Sequence, residues 1–186
     1  WDGRVIFWDV QSGKAKLTRG AHRGTVRHLA LSPDGKTAAT AGFDGTIRLW
    51  DAETGNDGAT LASPGAVVHS VSFSPDGRSI AFQRRYPKAQ ESSILIAQAD
   101  GTGERRVATR KLPAYFLGGV SWSPDGKTLA CTAGEYGAAG QVRSLVAIPA
   151  GGGGENVFPV TKWGMPAGPR RLQHGRGIVL QTADQA

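Results

Sequence analysis

The tetrapeptide Ser-Pro-Asp-Gly occurs three times in the chain, at Ser32–Gly35, Ser74–Gly77 and Ser123–Gly126. The first two copies stand 42 residues apart (Ser32 to Ser74) and the next two 49 (Ser74 to Ser123). In such a turn proline presets φ at the second position, aspartate bonds its own backbone, and glycine takes positive φ. Short apolar runs flank every copy, so the period marks a unit of several short strands repeated along the chain. A second series runs in step with the first: Asp2-Gly3-Arg4-Val5-Ile6-Phe7-Trp8-Asp9 returns as Asp44-Gly45-Thr46-Ile47-Arg48-Leu49-Trp50-Asp51, with 42 residues from Trp8 to Trp50. A single four-stranded sheet of this kind cannot bury both of its faces, and it needs copies of itself to stack against.

The stretch from Gly20 to Gly55 reads as one complete unit. Thr25 to Leu31 is a β-prone first strand, Lys36 to Ala41 a second strand of small residues, and Asp44-Gly45 a hairpin signal before Thr46 to Trp50. With His22 near its start and Trp50-Asp51 near its end, this stretch resembles a repeat of the WD40 family. The resemblance implies an all-β propeller of four-stranded antiparallel blades. It also implies that His22, Thr40, Asp44 and Trp50 form a hydrogen-bonded structural tetrad, in which a buried imidazole finds a carboxylate and an indole N–H finds an acceptor. A histidine, an aspartate and a threonine together invite comparison with a catalytic triad, but the resemblance assigns them to blade stability, and no catalytic residue is expected.

Two further units follow. The second has strands at Val67 to Phe73, Ser79 to Gln83 and Ser93 to Gln98, with Ala97-Gln98 where Trp-Asp stood and His69 packed inside its first strand. The third has strands at Leu129 to Thr132 and Leu145 to Ile148, and a candidate fourth at Asn156 to Val160. SFSPDGRSIAF and SWSPDGKTLAC resemble the TolB-type propeller repeat, and Asp100-Gly101 and Gly151-Gly152 fit the turns that end its third strand. The expected division is a half-blade at 1–19, a WD40 blade at 20–62, TolB-like blades at 63–112 and 113–162, and a degenerate start of a further blade at 163–186. Pro166, Pro169 and the polar run before His174 suit an innermost strand poorly, so that tail is expected to be irregular and His174 a loop residue. The chain opens in mid-pattern and reads as a piece of a longer protein. A closed four-blade ring, a truncated arc and two chains making eight blades all satisfy the strand count, and open blade edges would favour self-association.

Composition narrows the function classes. The 27 glycines and ten prolines fall at regular turns, which suits a many-turned β protein. The net charge is +7, but the basic residues come as scattered pairs with no aromatic ladder beside them, so a nucleic-acid partner is not expected. Cys131 is the single cysteine, set in an apolar run, and reads as a small core residue. A cytoplasmic location fits, with the periplasm as the alternative. No run is long and apolar enough to span a bilayer. No phosphate-binding glycine loop, nucleophile elbow or paired cysteine set is present, and no metal or cofactor is expected. The recurring Asp34, Asp76 and Asp125 are accounted for by their turns.

The resemblance then implies a non-catalytic scaffold for a protein partner, since rigid blades present loops at their rims. Two long loops are expected, Arg84 to Ser92 and Glu135 to Gln141, with Arg84, Arg85, Tyr86, Glu135 and Tyr136 as the partner-binding candidates. The alternative is a sensory or regulatory portion of a larger bacterial Ser/Thr kinase, transcriptional regulator or peptidase whose catalytic domain lies elsewhere.

Overall fold

The computed structural model describes residues 2–137, 140–159, 166–171 and 178–182, with side chains through residue 158. Strands β1 (Arg4–Asp9) and β2 (Lys14–Gly20) pair as a two-stranded sheet. A four-stranded antiparallel sheet follows, built in order from β3 (Val26–Leu31), β4 (Thr37–Gly42), β5 (Thr46–Asp51) and β6 (Asp57–Ala62). The next repeats the plan with β7 (Val67–Phe73), β8 (Ser79–Tyr86), β9 (Glu91–Gln98) and β10 (Arg105–Lys111). In the third, the first strand is broken into β11 (Ala114–Phe116) and β12 (Ser121–Trp122), both pairing with β13 (Thr128–Gly137). It is completed by β14 (Gly140–Pro149) and β15 (Asn156–Pro159).

These sheets are blades stacked face to face. The middle strands β4, β8, β9 and β13 are buried residue after residue, because both of their faces meet a neighbour. Val5, Ala21, Ala38 and Trp50 fill the space between the leading half-blade and the first full blade. Ala39, Ala41, Ile47 and Leu49 meet Val71, Ile80, Phe82 and Leu95 across the next gap. Ala81, Ile94 and Ile96 meet Trp122, Leu129, Cys131, Val146 and Ile148 across the third. Burial of that last thiol, the largest influence on it, pushes Cys131 up to about 12, so it packs as a small hydrophobe and is not a reactive nucleophile.

The three Ser-Pro-Asp-Gly turns are built alike. Each serine hydroxyl donates to the aspartate two residues on at 2.6 Å, and accepts the backbone N–H five residues on at 2.9 Å. Each aspartate also accepts a backbone N–H at 3.0 Å. Gly35, Gly77 and Gly126 sit at φ of 73°, 71° and 69°, a left-handed conformation that glycine adopts without strain. The serine hydroxyl and the backbone together hold all three carboxyls below the usual aspartate range.

Three expectations need correction. The loop expected at Arg84 to Ser92 is mostly strand: β8 runs to Tyr86, β9 starts at Glu91, and one 3₁₀ turn at Pro87–Ala89 joins them. The loop expected at Glu135 to Gln141 is likewise the tip of a long hairpin, whose pairing continues to Gly137 opposite Gly140. In the tail, β16 (Pro166–Arg171) and β17 (Ile178–Thr182) pair as an antiparallel two-stranded sheet where an irregular segment is expected. His174 lies outside the described residues.

Candidate functional site

Two places gather the residues singled out from sequence. The first lies inside the first full blade, facing the leading half-blade. The Trp50 indole N–H donates to the Thr40 hydroxyl oxygen at 2.9 Å, and that hydroxyl lies 2.8 Å from His22 Nε2. His22 Nδ1 lies 3.0 Å from Asp44 Oδ1 and 2.8 Å from the Thr46 hydroxyl. Thr46 donates its own hydroxyl proton to Asp44 Oδ1 at 2.7 Å. One proton order satisfies all of these bonds: indole to Thr40, Thr40 to Nε2, and Nδ1–H to the carboxylate and Thr46. Sequence reasoning missed Thr46, whose position beside Asp44 in the hairpin turn was the available signal.

Burial raises the Asp44 carboxyl, but the Arg23 backbone N–H, the Thr46 hydroxyl and the His22 ring outweigh it and hold the group at about 2. Gly42 completes the arrangement. A Cβ there would collide with the His22 ring and come within 2.6 Å of Asp44 Oδ1, so only glycine leaves room for the imidazole. The chain Thr40–His22–Asp44 has the order of a nucleophile, base and orienting acid. Thr40, however, is fully buried and its oxygen already accepts the indole N–H, so no substrate atom reaches it.

The second place is the rim where the first strands begin and the second strands turn into the third. Of the five partner-binding candidates, Arg84 does not belong there. Its side chain is buried (residue exposure 1%), lies 5.0 Å over the Phe82 ring, and donates to Glu104 at 2.5 and 3.0 Å. Strand alternation turns Arg84 inward while its neighbour Arg85 stays exposed. Tyr86 is half-buried with the Arg106 guanidinium 4.9 Å over its ring, and Arg106 also pairs with Glu91 at 2.6 Å. Tyr136 is 59% exposed on the extended hairpin and stacks on Tyr115 at 5.1 Å. Gln141 hydrogen-bonds the Tyr115 hydroxyl. Glu135 is exposed and lies on the other face of the hairpin from Tyr136. Tyr115 was missed because it stands in a short strand after a run with no alternation.

On the opposite rim, a cleft of about 410 Å³ opens between two turns, lined by Ser74, Asp76, Trp122 and Asp125 among others. Its polar groups are engaged locally: the carboxylates by their own turns, and the Trp122 N–H by the Ser72 carbonyl at 3.2 Å. Among the described residues no group of histidine, cysteine, aspartate and glutamate could hold a metal ion. No helix among them is long and apolar enough to cross a membrane.

Stacked four-stranded blades and the His22–Thr40–Asp44–Trp50 chain together define a β-propeller carrying a WD40 repeat. Residues 13–51 match the WD40 family model, described as WD domain, G-beta repeat. No curated protein matches the chain significantly. Among solved structures the chain is similar to the β-propeller domain of Cps50 (Swd1) from Myceliophteria thermophila, with a TM-score of 0.74 at 17% identity. That similarity covers 97% of this chain and 56% of the other, so the chain spans just over half of the solved domain. At this identity the likeness speaks for the fold alone.

Proposed function

We propose that the chain is a non-catalytic scaffold that binds a protein partner on the rim carrying Arg85, Tyr115, Tyr136 and Arg143. The observation that carries this reading is Tyr136. A large aromatic side chain stays 59% exposed while its backbone is held by a hairpin paired from Thr128 to Gly137. Ordering such an anchor before binding lowers the entropic cost of association, and tyrosine and arginine dominate the energetics of protein interfaces. The residue types that would suggest chemistry are engaged instead in the buried tetrad, which supports the scaffold reading over an enzymatic one.

The test is affinity capture of the tagged chain from the organism that makes it, with quantitative mass spectrometry. At least one protein is expected to be enriched near stoichiometry, and to fall by about tenfold when Arg85→Ala and Tyr136→Ala are combined. No enrichment, or enrichment indifferent to both substitutions, would overturn the reading.

A further inference from the structure

The inner strands of the first two full blades share an irregularity. The pairing of β3 with β4 slips between Val26 and His28, and that of β7 with β8 slips between Val68 and Ser70. Arg27 and His69 are the extra residues, 42 positions apart and therefore equivalent in the repeat. A bulge of this kind re-aims the side chain it carries. In the third blade the inner strand breaks altogether between Phe116 and Ser121, which covers the corresponding position, Gly118.

These side chains converge on the rim already described. His69 packs edge-on against Phe43, ring centres 5.6 Å apart. Burial first, then the charges of Arg27 and Arg85, hold its imidazole below the usual histidine range. Tyr115, pushed up to about 12 by burial and by its hydrogen bond to Tyr136, stands in the field of Arg143 and Arg85. Cationic groups therefore succeed one another across three blades: Arg27, Arg85, Arg143.

None of the three has a carboxylate partner among the described residues. The ion pairs there engage Arg4, Lys16, His22, Arg84, Arg106 and Arg110. The nearby acids leave them unpaired. Asp44 is held by the tetrad and Glu91 by Arg106, while Glu135, on the face of its hairpin turned toward the second blade, forms no ion pair with Arg85 among the described residues. Among the described residues Arg143 donates only to the neutral Gln141 side chain, at 3.0 and 3.3 Å. Guanidinium groups left in this state are matched by carboxylates, which they grip with paired, charge-assisted hydrogen bonds.

Resting on the scaffold reading, the geometry points to an acidic peptide segment of the partner as the occupant, laid across the rim with its carboxylates on Arg27, Arg85 and Arg143. A nucleic acid is less well served. Tyr115 and Tyr136 stack on each other and Phe43 is engaged by His69, so these rings are occupied by one another where single-stranded bases would need stacking platforms.

The test uses the whole chain and a fluorescein-labelled octaglutamate peptide, read by anisotropy at about 50 mM salt, where charge contacts are weakly screened. Saturable binding is expected, weakened at least tenfold when Arg27→Gln, Arg85→Gln and Arg143→Gln are combined. Lys14→Gln, Lys36→Gln and Lys127→Gln remove the same charge from the opposite rim and are expected to change binding by less than about twofold. Equal weakening by both sets would show a diffuse effect of net charge and overturn the inference, as would no binding. A labelled thymidine dodecamer bound more tightly through the same arginines would also overturn it, in favour of nucleic acid. If the Arg→Gln set leaves affinity capture of the partner intact, the acidic-segment inference falls while the scaffold reading stands.

Discussion

In the first full blade, the face of β4 turned toward the preceding sheet carries Ala38, Thr40 and Gly42; in the second, β8 presents Ile80, Phe82 and Arg84 at the positions 42 residues on. The third strand compensates. Trp50 stands opposite Ala38, whereas Ala97 stands opposite Ile80, so the large and small partners have exchanged sides. Above them, the room that Gly42 leaves for the His22 ring is occupied in the second blade by Arg84 itself, folded over Phe82 to reach Glu104. One blade closes its interface with neutral and carboxylate hydrogen bonds from four elements. The other does so with an aromatic side chain and one ion pair. The backbone plan thus tolerates two unrelated fillings in which large and small side chains exchange sides, and polar pairing is incomplete in the second, where the buried Arg84 Nε has no hydrogen-bond partner among the described residues.

The two fillings are expected to fail differently. Trp50→Ala empties the largest side chain of the first interface and removes the N–H donor to the Thr40 oxygen, which keeps its bond to His22, at a cost of about 3–5 kcal/mol in thermal or denaturant unfolding. A melting temperature equal to that of the parent would show that Trp50 does not anchor the blade. Arg84→Ala should cost about 2–3 kcal/mol, below the usual loss for a broken buried pair because Glu104 keeps a side-chain exposure of 35%. The paired change Arg84→Met with Glu104→Gln should recover most of that loss, and failure to do so would mean that the charge itself is required. Thr40→Val keeps the shape but removes both hydrogen bonds, for about 1–3 kcal/mol.

The smallest expected effect is one of pH. Asp44 has a folded value of about 2 against an ordinary 3.8, so its contribution is present above about pH 4 and is lost as pH falls toward 2. The difference in melting temperature between the parent and Asp44→Asn should therefore shrink over that interval. A difference that stays constant would mean that the carboxylate is not held in its charged form by the tetrad.

What could be read from sequence was what local chemistry decides. A Ser-Pro-Asp-Gly turn needs only its own six residues, and all three copies were legible with their strands. The tetrad candidates His22, Thr40, Asp44 and Trp50 were legible through the resemblance of Gly20 to Gly55 to a WD40 repeat. Arg84 was not, because its fate depends on Phe82 beneath it and on Glu104, 20 residues away. An arginine beside Arg85 and Tyr86 reads as a polar loop until the strand's alternation is known. The hairpin from Gly134 to Gln141 misled for a related reason. Its two strands leave the core and lose the apolar pattern while their backbone ladder continues, and a ladder leaves no mark in side-chain polarity.

A double-mutant cycle on Thr40→Val and Trp50→Ala measures directly whether the buried cluster in the first blade is one cooperative structural unit. If the hydroxyl and the indole act as partners, the double variant should be less destabilised than the sum of the two singles by about 1 kcal/mol or more. Additivity to within about 0.3 kcal/mol would contradict the account, leaving Trp50 as simple packing and freeing Thr40 and His22 for another role.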